Sequence, residues 1–359
     1  MKNKTRIEIN IKALKNNLKE INSHATNKIV QGVVKANAYG HGDIEIARAL
    51  EGIGVNTVGV ARVEEGVRLR EAGINADILV LGGAEKSEFE TLFNYSLKPV
   101  IYNKEIAKKL NSYLSFRKKT MPVHIKFDTG MHRLGIMHEK RHNFYTLIKE
   151  LKNLEIEGLM THFLAAGSVE NPWNNIQIEK FTNLINEWKK EFKKLPKFIH
   201  AENSASFFNF NIKNTNMARL GIALYGYGMK NLTPVLSLYS IVKDIKKLKK
   251  DETVSYGGWY KAERDMTVAV IPVGYGDGFM RSNRKGEVLI NGSRAKIVGI
   301  ICMDYFMVDI TDIKEVNIGD TVTIIGKDLN AEYWSKISNT IVYEILTIIN
   351  PRIRRVYED

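Results

Sequence analysis

The chain has a single cysteine, Cys302, among 359 residues. It therefore carries no internal disulfide framework, and the scarcity fits a reducing compartment. It also lacks any apolar run near the roughly 20 residues that a helical bilayer crossing requires, so no membrane partner is expected. The first ten residues, MKNKTRIEIN, have no apolar core of the kind a secretory signal needs, and a cytoplasmic protein is the expectation. There is no internal repeat, no low-complexity tract, no zinc-finger spacing and no aromatic RNA-reading motif. Acids are the scarcer charge, 40 against 53 Lys and Arg, which leaves a formal +13. That sign invites a nucleic-acid reading, but the lysines are interleaved with apolar residues and acids, as in 188–195 (WKKEFKKL) and 245–251 (IKKLKKD). A solvated lysine-rich surface is the better account, with a modest field favouring anionic ligands.

What remains is a long, ordinary globular composition, enough for two domains or one barrel with an appendage. Apolar, β-rich runs recur at 29–34, 57–61, 77–81, 98–101, 122–127, 155–161, 197–201 and 218–222. Segments with a period near 3.6 lie between them, for example 43–52, 63–72, 104–114, 138–151 and 177–192. Eight strands alternating with helices predict an α/β fold whose N-terminal part, 1–232, is a (β/α)8 barrel with its chemistry on the loops after the strands. Beyond residue 232 the texture changes to short runs at 235–242, 266–273, 287–290, 295–301, 306–310 and 321–325, separated by turn residues such as Asn291-Gly292 and Gly319-Asp320. Residues 233–359 thus read as a mainly β domain with one helix near 331–338. Its first strand is the expected partner of the N-terminal segment 6–10.

The most informative stretch is 33–42, VVKANAYGHG, which places Lys35 at the end of an apolar strand ahead of a Gly-His-Gly turn. A desolvated lysine has a lowered pKa, so part of it is a neutral amine able to form a Schiff base with an aldehyde such as pyridoxal phosphate. Position alone fits equally a lysine that snorkels from a strand end to water. A second segment, 124–136 (HIKFDTGMHRLGI), puts Lys126 on a strand and Arg133 on the following loop, where a fixed cation can meet a phenolate or a carboxylate. An exposed loop arginine is the plain alternative. His162 closes the sixth run in Thr-His-Phe, where a satisfied core histidine is the commoner outcome. In 200–206, HAENSAS, Ser204 sits at a helix N-terminus, either as an ordinary N-cap or as part of an anion site after strands seven and eight. Gly221 and Ile222, in 219–226 (RLGIALYG), offer backbone N–H groups beside it. Arg219 is always charged and only donates, so against a pyridine nitrogen it holds that nitrogen unprotonated. A structural ion pair is the competing account.

Residues 33–42 and the blocks just quoted resemble, in order and over the whole chain, the alanine racemase family. The resemblance implies pyridoxal 5'-phosphate on Lys35, with Tyr39, Arg133, His162, Asn203, Ser204, Arg219, Gly221 and Ile222 around it. It implies a second acid/base, Tyr256 in 253–257 (TVSYG), supplied across a homodimer interface, and a substrate carboxylate met by Arg133, Tyr275 and the backbone N–H of Met303. It further implies that Lys126 belongs to the position often carbamylated in the family, and that Cys302 is a packing residue rather than a nucleophile. The expected activity is two-base interconversion of L- and D-alanine, a small amino-acid substrate, supplying D-amino acid for cell-wall peptidoglycan. Two positions depart from the family pattern: Gly167 stands where an acid is common and Ile300 where an arginine is common. Both line the family's entry corridor, and Gly258-Trp259 stands where smaller or more polar residues are usual after the tyrosine, so serine or a broader substrate set stays open. Residues 349–352 (INPR) also lack a tyrosine that some members use against phosphate. A basic-amino-acid decarboxylase is disfavoured by Arg219 and Tyr256, and a non-catalytic pyridoxal-phosphate carrier by residues 235–359.

Overall fold

The structure, a computed structural model, describes residues 5–24 and 28–359. The first four residues of the N-terminal segment read above lie outside the described residues. The chain divides into two compact units, one from residues 15–38 and 43–232, the other from residues up to 14, 39–42 and 233–359.

The first unit is built on eight strands, Ile29–Val33, Thr57–Val60, Asp77–Val80, Lys98–Ile101, Met121–Asp128, Leu154–Met160, Phe198–His200 and Met217–Leu220. Neighbours pair in parallel from the first to the seventh, and the eighth pairs with the first in the register Met217↔Ile29. Backbone bonds from Asn216 N–H to Ile199 O and from Arg219 N–H to Glu202 O, each 3.0 Å, join the seventh strand's end to the eighth and close the ring. Most residues of these strands are buried, as expected of parallel strands with helices outside and packed side chains within. The surrounding helices owe their position to one apolar face each. Helix Lys104–Phe116 starts where the Asn103 side chain accepts the Ile106 N–H at 2.8 Å, and it buries Ile106, Ala107, Leu110 and Leu114. Truncating one such residue, Leu110→Ala for example, costs about 2–5 kcal/mol. Helix Trp173–Phe192 buries Phe181, Leu184, Ile185 and Trp188, but also the polar Asn174 and Gln177. It begins four residues before the periodicity at 177–192 suggests.

The second unit is a nine-stranded sheet in the order Asp244–Leu248, Met266–Ile271, Phe306–Asp309, Ser293–Val298, Glu287–Ile290, Thr321–Ile325, Leu236–Ile241, Arg6–Asn10, Arg355–Glu358. The N-terminal strand lies antiparallel to Leu236–Ile241, with Ile7 opposite Leu238, and parallel to the C-terminal strand, with Ile7 opposite Arg355. Asn291-Gly292, both at positive φ, turn Glu287–Ile290 into Ser293–Val298 as a tight hairpin. Helix Ala331–Ser338 is capped by Asn330 and anchored by Trp334, whose indole N–H meets Ile324 O at 2.6 Å. A second short helix, Val342–Thr347, follows it. Among the described residues, no helix is long and apolar enough to cross a membrane.

Candidate active site

The barrel unit carries four cationic side chains, Lys126 and Arg219 within its strands and Lys35 and Arg133 beyond strand ends. Lys35 follows the first strand and opens a turn with left-handed backbone: Ala36, Asn37, Ala38 and Tyr39 all have φ between 51° and 55°. Such a conformation costs an L-residue roughly 1–2 kcal/mol each, so the surroundings must hold it. Glu65 does part of this. Its Oε1 accepts the Ala36 N–H at 2.7 Å while Oε2 accepts the Ala61 and Arg62 N–H groups, fastening the turn to the start of helix Val63–Glu71. Burial lowers the Lys35 pKa, as do Arg133 and Arg219, against the opposing charge of Glu65.

Lys126 and Asp128 alternate with His124 on one face of the fifth strand. Burial, then Arg219 and Arg133, bring the Lys126 amine down to about 8. Asp128 folds the following loop, since its Oδ1 accepts the Gly130 and His132 N–H groups at 2.9 and 3.1 Å. The loop can lie this close because Gly135 has φ +137° and no Cβ; one there would stand 2.7 Å from the Asp128 nitrogen. Arg133, exposed, rides on that loop. Gln177 ties the loop to the next one, donating to Thr129 Oγ1 at 3.0 Å and His162 O at 2.9 Å while accepting the Leu164 N–H.

Arg219 is buried at the centre. It donates to Thr161 O and Ala201 O at 2.9 Å, to His200 Nδ1 at 2.8 Å and, more weakly, to His162 Nδ1 at 3.3 Å. Burial lowers its pKa to about 10. Because a guanidinium only donates, His200 Nδ1 is an acceptor and the ring carries its hydrogen on Nε2. That hydrogen points to His124 Nδ1 at 2.8 Å, which leaves the His124 hydrogen on Nε2, 3.7 Å from Glu157 Oε2. Burial, followed for His200 by Arg219, keeps both rings neutral. At the far end His124 and Lys98 hold the Glu157 carboxyl at about 2, with Lys98 Nζ at 2.8 Å. His162 is likewise far below the usual imidazole value, by burial first and then Arg219, Arg133 and the two lysines.

Asn203, not Ser204, caps helix Ser204–Asn209: its Oδ1 accepts the Ser206 N–H, and Ser206 Oγ accepts its own N–H. The Ser204 hydroxyl is thereby released from capping and instead accepts the Gly221 and Ala223 N–H groups at 3.3 Å. Ile222 lies between those two donors. Four cations meet a neutral imidazole, with Asp128, Glu65 and the buried Glu202 as the nearby acids, and each cation lowers its neighbours' affinity for protons. Such a donor set favours an anionic ligand. An amine of lowered pKa, an arginine aimed from the core and a hydroxyl among backbone N–H groups fit the aldehyde, ring nitrogen and phosphate of pyridoxal phosphate.

The remaining expected residues belong to the other unit. Tyr39 is buried, with its ring centroid 6.0 Å from that of Tyr343, and burial raises its pKa. Tyr256, Tyr275 and Met303 stand on three adjoining loops. Tyr275 N–H donates to Cys302 O at 3.0 Å and Gly276 N–H to Met303 O at 2.9 Å. Before Tyr256, Ser255 adopts φ 69° and ψ −177°, a region costing roughly 1–3 kcal/mol for any residue but glycine. Its hydroxyl donates to Ile300 O at 2.7 Å and lies 3.5 Å from Cys302 Sγ. Tyr256, Trp259 and Met303 are 72%, 73% and 53% exposed, a run of large apolar side chains of the kind that marks a contact surface. Glu65, Gln177 and the pair His124–His200 were not anticipated from the sequence. Only the last carried a signal, since His124 shares the inward strand face with Lys126.

Residues 9–228 match the alanine racemase N-terminal domain and residues 235–357 the alanine racemase C-terminal domain. Alanine racemases of Thermodesulfovibrio yellowstonii and Methanococcus maripaludis are 41% and 38% identical, each over 98% of this chain and 96% and 97% of their own length. The solved alanine racemase of Clostridium difficile superposes with a TM-score of 0.93 at 33% identity, covering 99% of this chain and 95% of its own. That of Bacillus anthracis with bound L-Ala-P does so at 0.92 and 34%, with the same coverage. With both domains matched in sequence and the whole chain matched in structure, the protein belongs to the alanine racemase family.

Proposed function

We propose that the chain is a pyridoxal-phosphate-dependent isomerase that interconverts L- and D-alanine, with each active site completed by a second copy of the chain. The observation that carries the reading is the convergence of Lys35, Lys126, Arg133 and Arg219 on a neutral His162 in the barrel unit. Lys35 would hold the cofactor, Ser204 with the backbone at Gly221 and Ile222 would face its phosphate, and Arg219 would meet its ring nitrogen as a donor. Bound there, the cofactor withdraws electrons from the substrate and makes the Cα hydrogen acidic. Lys35 exchanges the Cα proton on one face, and Tyr256 of the partner subunit exchanges it on the other. Inversion requires two such groups, since a single base would have to cross the plane. Arg133 orients the substrate carboxylate together with the backbone N–H of Met303 of the partner subunit and with Tyr275 of the partner subunit. Lys126, with its amine near 8, is poised to take up carbon dioxide as a carbamate, its neutral amine form losing one proton, and so to brace Arg133. The exposed Tyr256, Trp259 and Met303 support a homodimer. The lone Cys302 supports a cytoplasmic setting, in which the product is D-amino acid for the cell wall.

Turnover of serine beside alanine is the second reading, favoured by Gly167, an exposed loop position without a side chain where the family commonly has an acid. Selection by a hydroxyl in a pocket not built to reject it is worth only about 1–3 kcal/mol. Incubation of the protein with L-alanine or L-serine, with and without added pyridoxal phosphate, followed by chiral chromatography, tests both. D-Alanine should accumulate to near equality with L-alanine, with a lesser conversion of serine. Cofactor-replete protein that forms no D-alanine contradicts the proposal.

A further inference from the structure

We propose that Ser255 is a positioning residue whose hydroxyl latches the Tyr256 loop in a conformation it would otherwise leave, binding that loop to the segment bearing Met303. The inference rests on the role given above to Tyr256.

The loop 255–258 has three residues at positive φ. Two are glycines, Gly257 at +68° and Gly258 at +59°, and the third is Ser255. Its ψ of −177° places it where a Cβ is least tolerated. A strained backbone persists only where its neighbours over-determine it, and two features do so here. The first is the 2.7 Å bond from Ser255 Oγ to Ile300 O. The second is Gly299, itself at φ +76°: a Cβ on it would stand 2.8 Å from Ser255 Cβ and 3.0 Å from Val254 O. Glycine at 299 thus makes room for a side chain at 255, and the hydroxyl of that side chain reaches the adjoining carbonyl.

Alanine at 255 would keep the steric conflict and lose the bond. Glycine would lose the bond but also the conflict. The two substitutions therefore separate a latch from a passive fit. The same segment that receives Ser255 is fastened to the Tyr275 loop through Cys302 O and Met303 O, so the phenol and the carboxylate-facing N–H share one frame.

The test compares Ser255→Ala and Ser255→Gly with the native protein, each loaded with pyridoxal phosphate, in two measurements. One is deuterium uptake at Cα from D2O, starting separately from L- and D-alanine. The other is backbone amide exchange over 253–262 and 299–305 with no substrate present. Ser255→Ala should slow uptake from L-alanine, the Tyr256 side, by about 10- to 100-fold, a loss on the scale of a small misplacement of a reacting group. Uptake from D-alanine should fall far less, Ser255→Gly should lie between Ser255→Ala and the native protein, and amide exchange in both segments should accelerate in Ser255→Ala. Equal losses from both enantiomers, equal behaviour of the two variants, or unchanged amide exchange would each overturn the latch. A native protein that exchanges Cα hydrogen with neither enantiomer would instead refute the racemase reading, and amide exchange would still decide the role of Ser255.

Discussion

Lys35 concentrates the energetics of the site in one side chain. It leaves a core strand at the head of four successive left-handed residues, and burial first, then the charges of Arg133 and Arg219, make its charged amine less favourable than in water. An amine so placed reacts with an aldehyde near neutral pH. Borohydride treatment of the cofactor-loaded protein should therefore add the reduced cofactor's mass to the peptide containing Lys35, and Lys35→Ala should show neither the adduct nor activity. An adduct on Lys126 instead would reassign the two lysines. At this scale the sequence was most legible where chemistry is local. Lys35, Arg219 and Ser204 stand in short blocks whose residue types declare a use. Glu65 and Gln177 did not stand out, because their value lies in bonds to backbone groups 29 and 15 residues away, at Ala36 and His162. Nothing in their immediate neighbours announces it.

The fifth, sixth, seventh and eighth barrel strands carry the relay Glu157, His124, His200, Arg219 from the strands' interior to the site. Its acid end is a measurable part of barrel stability. The Glu157 carboxyl is lowered from 4.5 to about 2, so its ionised form is favoured by folding. That contribution is fully present above about pH 4.5 and is lost as the pH falls toward 2. Glu157→Gln should cost roughly 1–3 kcal/mol at pH 7 in denaturant unfolding, with the gap to the native protein closing as the pH is lowered below 4.5. A gap independent of pH would mean that shape, not charge, matters at this position. The eight barrel strands could be read from the sequence because strands buried on both faces are continuous apolar runs. Strand Asp244–Leu248 could not: its lysines read as a solvated surface segment, and it forms an edge of the sheet, where lysines discourage further pairing. Helices Phe89–Asn94 and Val342–Thr347, six residues each, are too short to display a helical period.

At the scale of the whole molecule, the proposal divides one reaction between two chains. Mixed dimers of Lys35→Ala and Tyr256→Phe subunits, each inactive alone, should regain part of the activity, because one of the two sites then has both native residues. No rescue despite demonstrated subunit exchange would place each site within a single chain. The central claim, that two groups on opposite faces of Cα carry the inversion, is tested most directly by deuterium uptake in Tyr256→Phe. Uptake from L-alanine should be crippled while uptake from D-alanine, handled by Lys35, is largely kept. Equal loss from both enantiomers would contradict the assignment of one face to each residue.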